Sequence, residues 1–288
     1  MPQTKHQLQE LLEGAGITPR RQWGQHFLID LNLMRLLVDK AELKGTETVL
    51  EVGCGSGSLT ELLAERAGVV VAVEIDAKLA DIARVQLHPY KNVALFCADV
   101  LARKSAIEPK VLAAVKEAQE RLKGGFFLIA NLPYQVAAPL VLNLIMGQMV
   151  PEAMHITVQA EVAERMAAKP GTKAYGLLSI MLQATGQVSW LRRIKPTSFW
   201  PVPNVYSAMI SWRRSEEKWE KIGDIDRLKE TADMLLQHRR KQIQSCLAKS
   251  LSRDNIACLL AGLGINGNIR AETLAPEKFV ELAKARHQ

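Results

Sequence analysis

Asn131-Leu132-Pro133-Tyr134 is the segment whose residue types and order come closest to describing a reaction. The side-chain oxygen of Asn131 and the main-chain carbonyl of Leu132 are two acceptors one residue apart. Together they suit gripping the N–H groups of an exocyclic amine, freeing its lone pair from conjugation and aiming it at an electrophile. Pro133 sets the chain direction, and Tyr134 offers a flat face on which an extruded base can stack, a contact of roughly 1–3 kcal/mol. The chemistry so described is methyl transfer to an exocyclic amine. Without that chemistry, Asn131 and Pro133 merely form a turn and Tyr134 belongs to the core.

A methyl donor needs its own pocket, and VLEVGCGSGSLT supplies a candidate, with Gly53, Gly55 and Gly57 between an expected strand and a helix starting near Leu59. Glycines let the backbone turn tightly and approach a ligand where a side chain would collide. Such a loop also serves NAD. The departure from G-x-G-x-x-G, and Glu51 ahead of the loop, favour S-adenosylmethionine. Glu74 follows Gly53 by 21 residues, at the end of the second expected strand, where a carboxylate accepts from ribose hydroxyls in either cofactor. Asp99, closing the third strand, is placed to accept from an adenine amine. Taken singly, a surface Lys pair for Glu74 and a turn cap for Asp99 are ordinary alternatives.

These residues require a scaffold, and between about Thr48 and Arg213 short β-rich runs alternate with helical patterns, as in a parallel sheet with helices on both faces. The expected strands are Thr48 to Val52, Val69 to Ile75, Val93 to Cys97, Phe126 to Ala130, His155 to Val158, Val188 to Ile194 and Ser207 to Trp212. The last two lack a helix between them and suit an antiparallel hairpin at the sheet edge. Their connection, Lys195 to Asn204, carries three prolines and must be ordered and extended. Ile107 to Lys123 has helical spacing and reads as a crossover helix, an unusually long insertion between Asp99 and Asn131. Arg213 to Lys221 reads as a charged linker into helices that continue to Gln288. Pro276 suits the first turn of a last helix through Ala285, although Ala275 is a poor N-cap.

The net charge of +7 favours polyanionic partners. From Arg213 onward 15 Lys and Arg face 11 Asp and Glu, so the C-terminal part is the denser in positive charge. The longest apolar runs are strand-length, well short of the ~20 residues of a bilayer span. Met1 to Glu10 is polar and does not read as a secretory signal, which points to the cytoplasm. The cysteines at 54, 97, 246 and 258 form no C-x-x-C pair and no metal-like spacing with histidines, and read as buried free thiols; no metal is called for.

At this level of detail a resemblance emerges. Asn-Leu-Pro-Tyr after a fourth strand is the form found in amino methyltransferases acting on adenine, and the chain resembles the ribosomal RNA adenine N6,N6-dimethyltransferase family. Gly24-Gln25-His26-Phe27-Leu28 is similar to that family's N-terminal segment, and Phe199-Trp200-Pro201-Val202-Pro203-Asn204-Val205 to its F-x-P-x-P-x-V loop. The resemblance covers about Arg20 to Trp212 and continues more loosely beyond.

It implies a Rossmann-like class I methyltransferase fold with a seven-stranded, mostly parallel sheet in residues 1–213, the first 30 wrapping over the cofactor, and a small all-α RNA-binding domain in residues 214–288. It implies that His26, Leu28, Gly53, Gly55, Glu74, Asp99 and Asn131 bind S-adenosylmethionine. Asn131, Leu132 and Tyr134 would act on the amine, with Phe199 stacking on the target base opposite Tyr134. Without the family, an aromatic before two prolines is more often a core anchor. Cys54 departs from the Pro common in bacterial members.

Lys173-Ala174-Tyr175-Gly176, Leu178-Ser179 and Gln237-His238-Arg239-Arg240-Lys241 resemble the small-subunit branch more than the macrolide-resistance branch, which methylates large-subunit RNA. The resemblance then implies a monomer that dimethylates two adjacent adenosines near the 3′ end of small-subunit ribosomal RNA during ribosome biogenesis. Arg239, Arg240 and Lys241, on an expected helix, suit phosphate contacts or, equally, a solvated face. Arg192, Arg193 and Lys195 pose the same choice near the substrate loop. Rival readings are a DNA adenine methylase and a non-catalytic assembly factor.

Overall fold

The computed structural model describes residues 2–19, 24–239, 241–248 and 250–286. The chain divides into two compact units, Met1–Ala163 with Ser189–Trp212, and Glu164–Val188 with Arg213–Gln288.

The first unit is built on a seven-stranded sheet: β1 Thr48–Val52, β2 Val69–Glu74, β3 Val93–Cys97, β4 Phe126–Asn131, β5 Ala153–Gln159, β6 Gly186–Ile194 and β7 Ser207–Arg214, in the order β3-β2-β1-β4-β5-β7-β6. The five strands from β3 to β5 pair in parallel. β1 and β2 are apolar runs buried at every position, as strands covered on both faces must be. β6 and β7 are neighbours at the edge, where the sequence places them. Between β1 and β4 the strand order reverses direction, and in such sheets ligands bind in the crevice at the carboxyl ends of the strands. Gly53 directly follows one of these strands and Asn131 closes the other.

Helices α1 Lys5–Gly14, α2 Leu31–Asp39, α3 Ser58–Ala64, α4 Ala77–Leu87, α5 Pro109–Leu122 and α6 Ala137–Met146 belong to this unit. α5 occupies the expected crossover and buries Val111, Val115 and Ala118, a stripe at helical spacing, beneath β1 and β2. The proline-rich connection is ordered: a 3-10 turn at Pro196–Ser198, then Phe199–Trp200 paired antiparallel with Phe27–Leu28.

In the second unit, α7 Ala160–Met166 leads in and α8 Leu177–Thr185 is the centre. Seven of the nine residues of α8 are buried, so this helix is apolar on nearly all sides and needs neighbours around it. α9 Glu216–Ile222, α10 Ile225–Leu236 and α13 Pro276–Ala285 supply them, with α11 Ile243–Leu247 and α12 Arg253–Gly262 beyond. A division at 213/214 is natural for strand and helix patterns, which carry no sign that Glu164–Val188 is the core of the helical unit.

Three local expectations are corrected. The charged run Arg213 to Lys221 is no linker: it ends β7 and forms most of α9, capped by Ser215, with two glutamates in the first turn and Lys221 in the last. Gln237 to Arg239 is not helical, because α10 ends at Leu236 and a turn follows. Of the four cysteines, Cys54 and Cys246 are buried, whereas Cys97 and Cys258 are exposed; none is paired. Among the described residues no helix is long and apolar enough to cross a membrane.

Candidate active site

The glycine loop is shaped by contacts that exclude side chains. Gly53 and Gly55 have φ of 76° and 59°. A Cβ on Gly53 would lie 2.9 Å from Pro133 Cδ, and one on Gly55 2.9 Å from Phe27 Cε1. The loop is thus pressed between the Asn-Leu-Pro-Tyr segment and the N-terminal strand, which only glycine permits. The Glu74 carboxylate holds it there, accepting from Gly55 N and from Asp76 N, each at 2.9 Å. Burial pushes the Glu74 carboxyl above the usual carboxylate range, and these amide bonds partly offset that. Glu51 is deeper still. Burial raises its carboxyl to about 8, the nearby Thr60 hydroxyl offsetting part of this and the Glu74 charge adding to it, and its Oε2 has no partner in hydrogen-bonding geometry among the described residues. Asp99 accepts from Leu101 N at 2.8 Å, so it caps the following turn while also facing the cavity.

Asn131 closes β4, and its Nδ2 donates to the His26 carbonyl at 3.1 Å. That bond orients the side chain and leaves Oδ1 as the acceptor. Leu132 N donates to Thr157 O at 3.0 Å, fixing the peptide next to the Leu132 carbonyl. Tyr134 is held at both ends: its hydroxyl is 3.1 Å from Ser207 Oγ, and its ring stacks on His26 with centroids 5.6 Å apart. His26 Nδ1 lies 2.7 Å from Pro201 O, tying the N-terminal segment to the proline-rich loop.

One cavity is lined by His26, Leu28, Gly53, Gly55, Glu74, Asp99 and Asn131, with Leu132 and Tyr134 at the same site. Phe199 is not there. Pairing of Leu28 with Phe199 turns its ring into the core beside Leu28, Ile194 and Met209, where it is 1% exposed. It is the core anchor that an aromatic before two prolines ordinarily is, and it does not offer a face to a base. Sequence reasoning missed Gln3, Leu8, Ser56 and Ser58, which also line the cavity. Gln3 Oε1 accepts from both serine hydroxyls, while its Nε2 is buried without a partner among the described residues. Only the apolar positions Leu8 and Leu12 of α1 hint at this docking, since no motif includes Gln3.

In the helical unit the basic cluster is divided. Arg239 pairs with Glu272 at 3.2 Å and donates to the carbonyls of Lys173 and Tyr175. Arg240 lies outside the described residues. Lys241 is exposed. The Lys173-Ala174-Tyr175-Gly176 segment and Arg239, both marked out by resemblance, are therefore parts of one structural knot, which Tyr175 completes by donating to Leu274 O at 2.8 Å.

The cavity's charge distinguishes between the two cofactors that its glycine loop admits. Among the described residues Glu51, Glu74 and Asp99 line it and no Lys or Arg does. A diphosphate would meet like charge from these carboxylates, whereas a ligand carrying a sulfonium and an ammonium is attracted to them and favours their ionised form. The sheet order, the loop and this electrostatic character define a class I methyltransferase using S-adenosylmethionine.

Within that class the chain belongs to the ribosomal RNA adenine dimethylase family, whose sequence model matches residues 16–288. It is 34% identical over 287 residues to the ribosomal RNA small subunit methyltransferase A of Geobacillus kaustophilus, covering 98% of this chain and 96% of that protein. It is 35% identical to the protein of the same name from Anoxybacillus flavithermus, covering 98% and 95%. In fold it is similar to a dimethyladenosine transferase from Plasmodium falciparum (TM-score 0.74, 21% identity, 89% and 96% of the two chains). It is also similar to the 23S rRNA methyltransferase ErmE (TM-score 0.68, 24% identity, 91% and 100%).

Proposed function

We propose that this chain dimethylates N6 of two adjacent adenosines near the 3′ end of small-subunit ribosomal RNA, as a cytoplasmic monomer acting in ribosome biogenesis. The observation that carries the reading is the end-to-end similarity to small subunit methyltransferases together with Asn131 and the Leu132 carbonyl at the mouth of a carboxylate-lined cavity.

S-adenosylmethionine, held by the glycine loop, Glu74 and Asp99, supplies an electrophilic methyl group. The protein's part is orientation. Asn131 Oδ1 and the Leu132 carbonyl accept the two N–H groups of the adenine amine and direct its lone pair. Tyr134, pinned by Ser207, supports the extruded base. Asn131 and the Leu132 carbonyl accept hydrogen bonds without taking a proton, so the proton leaves after attack, when the nitrogen has become acidic. A second transfer follows exchange of the spent cofactor.

The test is methyl transfer from labelled S-adenosylmethionine to small subunits lacking the modification, beside large-subunit RNA and DNA, with nucleoside analysis of the product. N6,N6-dimethyladenosine confined to small-subunit RNA is the expected result. Label on large-subunit RNA or on DNA would overturn the substrate assignment, and no label anywhere would make the chain a non-catalytic factor.

A further inference from the structure

The stretch from Arg165 to Ser215 contains eight Lys and Arg and no Asp or Glu. Within the methyltransferase unit three of these cations, Arg192, Arg193 and Lys195, sit at the end of β6 or just past it, and all three are exposed. None forms an ion pair among the described residues. Period-two alternation puts Arg193 and Lys195 on one side of the strand and Arg192 with Trp190 on the other. On the first side, the Arg193 guanidinium lies over the ring of Tyr206, 4.3 Å from its centroid.

Tyr206 is 44% exposed, unusual for so large a ring, and the neighbouring Val205 is exposed as well. Its backbone is anchored, its carbonyl accepting from Ala160 N at 2.9 Å. The next residue, Ser207, touches the hydroxyl of Tyr134. A cation-backed aromatic platform thus stands one residue from the group that supports the target base. A stacked guanidinium keeps its edge N–H groups for phosphate oxygens, and a tyrosine ring takes any base on its face. A protein partner would need carboxylates to match this edge, whereas a nucleic acid brings both phosphate and a flat ring.

We propose that Arg193, Lys195 and Tyr206 form a second RNA contact that holds a nucleotide flanking the target adenosine, Tyr206 with Arg193 as stacking platform and Arg193 and Lys195 as phosphate ligands. The inference rests on the ribosomal RNA substrate proposed above and adds a site beside the Asn131 cavity.

The experiment measures binding to unmodified small-subunit RNA over a range of salt, in parallel with methyl transfer and S-adenosylhomocysteine affinity, for the wild type and for Arg193→Ala, Lys195→Ala, Tyr206→Ala and Tyr206→Phe. Tyr206→Ala and Arg193→Ala are expected to weaken RNA binding about five- to twenty-fold and to raise KM with kcat nearly unchanged. Tyr206→Phe stays within about twofold, because the ring is what matters. Arg193→Ala and Lys195→Ala each flatten the dependence of log K on log salt by about one, and Tyr206→Ala does not. S-adenosylhomocysteine affinity and thermal unfolding stay at wild-type values. Wild-type RNA binding by Tyr206→Ala, or an equal loss in Tyr206→Phe, overturns the proposal. So does weakened docking on assembled particles with unchanged binding to naked RNA, which would mark a protein contact. Failure of the substrate assignment is distinguishable, because the wild type itself would then leave small-subunit adenosines unmethylated.

Discussion

Asn131 and Arg239 are both polar residues marked by short motifs, and they end in opposite circumstances. Asn131 uses its amide nitrogen to anchor itself on the His26 carbonyl and keeps its oxygen toward a cavity. Arg239 directs its guanidinium to Glu272 and two main-chain carbonyls of its own unit. The same contrast runs through the two regions. Around the glycine loop, Glu51 and Gln3 each keep a buried polar atom without a hydrogen-bond partner among the described residues, at a cost that a bound ligand can offset. In the helical unit the motif residues Tyr175, Ser179 and Arg239 each donate to a main-chain carbonyl of that unit, those of Leu274, Arg165 and Tyr175 in turn. A motif residue with incomplete internal partners points to a ligand; one with complete partners points to folding.

Two substitutions test that contrast at its strongest. Phe199 sits in the active-site motif set but is packed like a core residue, so Phe199→Ala should destabilise the protein by about 3–5 kcal/mol, read as a shift in the urea midpoint. If turnover on RNA collapsed while the midpoint stayed in place, Phe199 would instead leave the core to meet the base. Asn131→Ala should do the reverse, lowering single-turnover methyl transfer by roughly 10²–10³ with an unchanged midpoint, since it removes a contact that matters at the transition state. Near-normal turnover would sink the assigned role of the Asn-Leu-Pro-Tyr segment.

The sheet was legible because its central strands are unbroken apolar runs, and the gathering of Gly53, Glu74, Asp99 and Asn131 around one cavity because all four stand at or just past strand ends, where topology collects them. Gln3 was not legible: it reaches the cavity only because α1 folds back, and one polar residue carries no trace of a contact 53 residues away in sequence. Phe199 misled for a related reason, since its burial depends on pairing with Leu28 across 171 positions. The charged α9 was mistaken for a linker because its capping and charge order, though present, were outweighed by composition.

Glu51 gives the contrast a pH signature. The unfolded carboxyl titrates near 4.5 and the buried one near 8, so between those values the folded chain holds a proton that the unfolded chain has released. Its contribution is full below about pH 4.5 and declines by about 1.4 kcal/mol per unit as pH rises toward 8. Cofactor-free protein should therefore lose stability between pH 5.5 and 7.5, and Glu51→Gln should lose much less over the same window. Parallel curves for the two proteins would mean that Glu51 is already ionised in the free cavity.

The smallest effects decide the basic cluster. Arg239 is partly exposed, so its ion pair with Glu272 counts for little by itself, but its bonds to the Lys173 and Tyr175 carbonyls hold the loop that buries the Tyr175 side chain. Arg239→Ala should cost about 1–2 kcal/mol of stability and leave RNA affinity per folded molecule unchanged. Lys241 is exposed and makes no ion pair among the described residues, so Lys241→Ala should leave the urea midpoint within about 0.5 kcal/mol. It should also reduce the salt dependence of RNA binding by about one phosphate contact. The two variants thus separate folding from recognition within three residues. If Arg239→Ala weakened RNA binding at constant stability, its guanidinium would have to exchange Glu272 for a phosphate on binding, and full internal partnering would no longer mark a residue as structural.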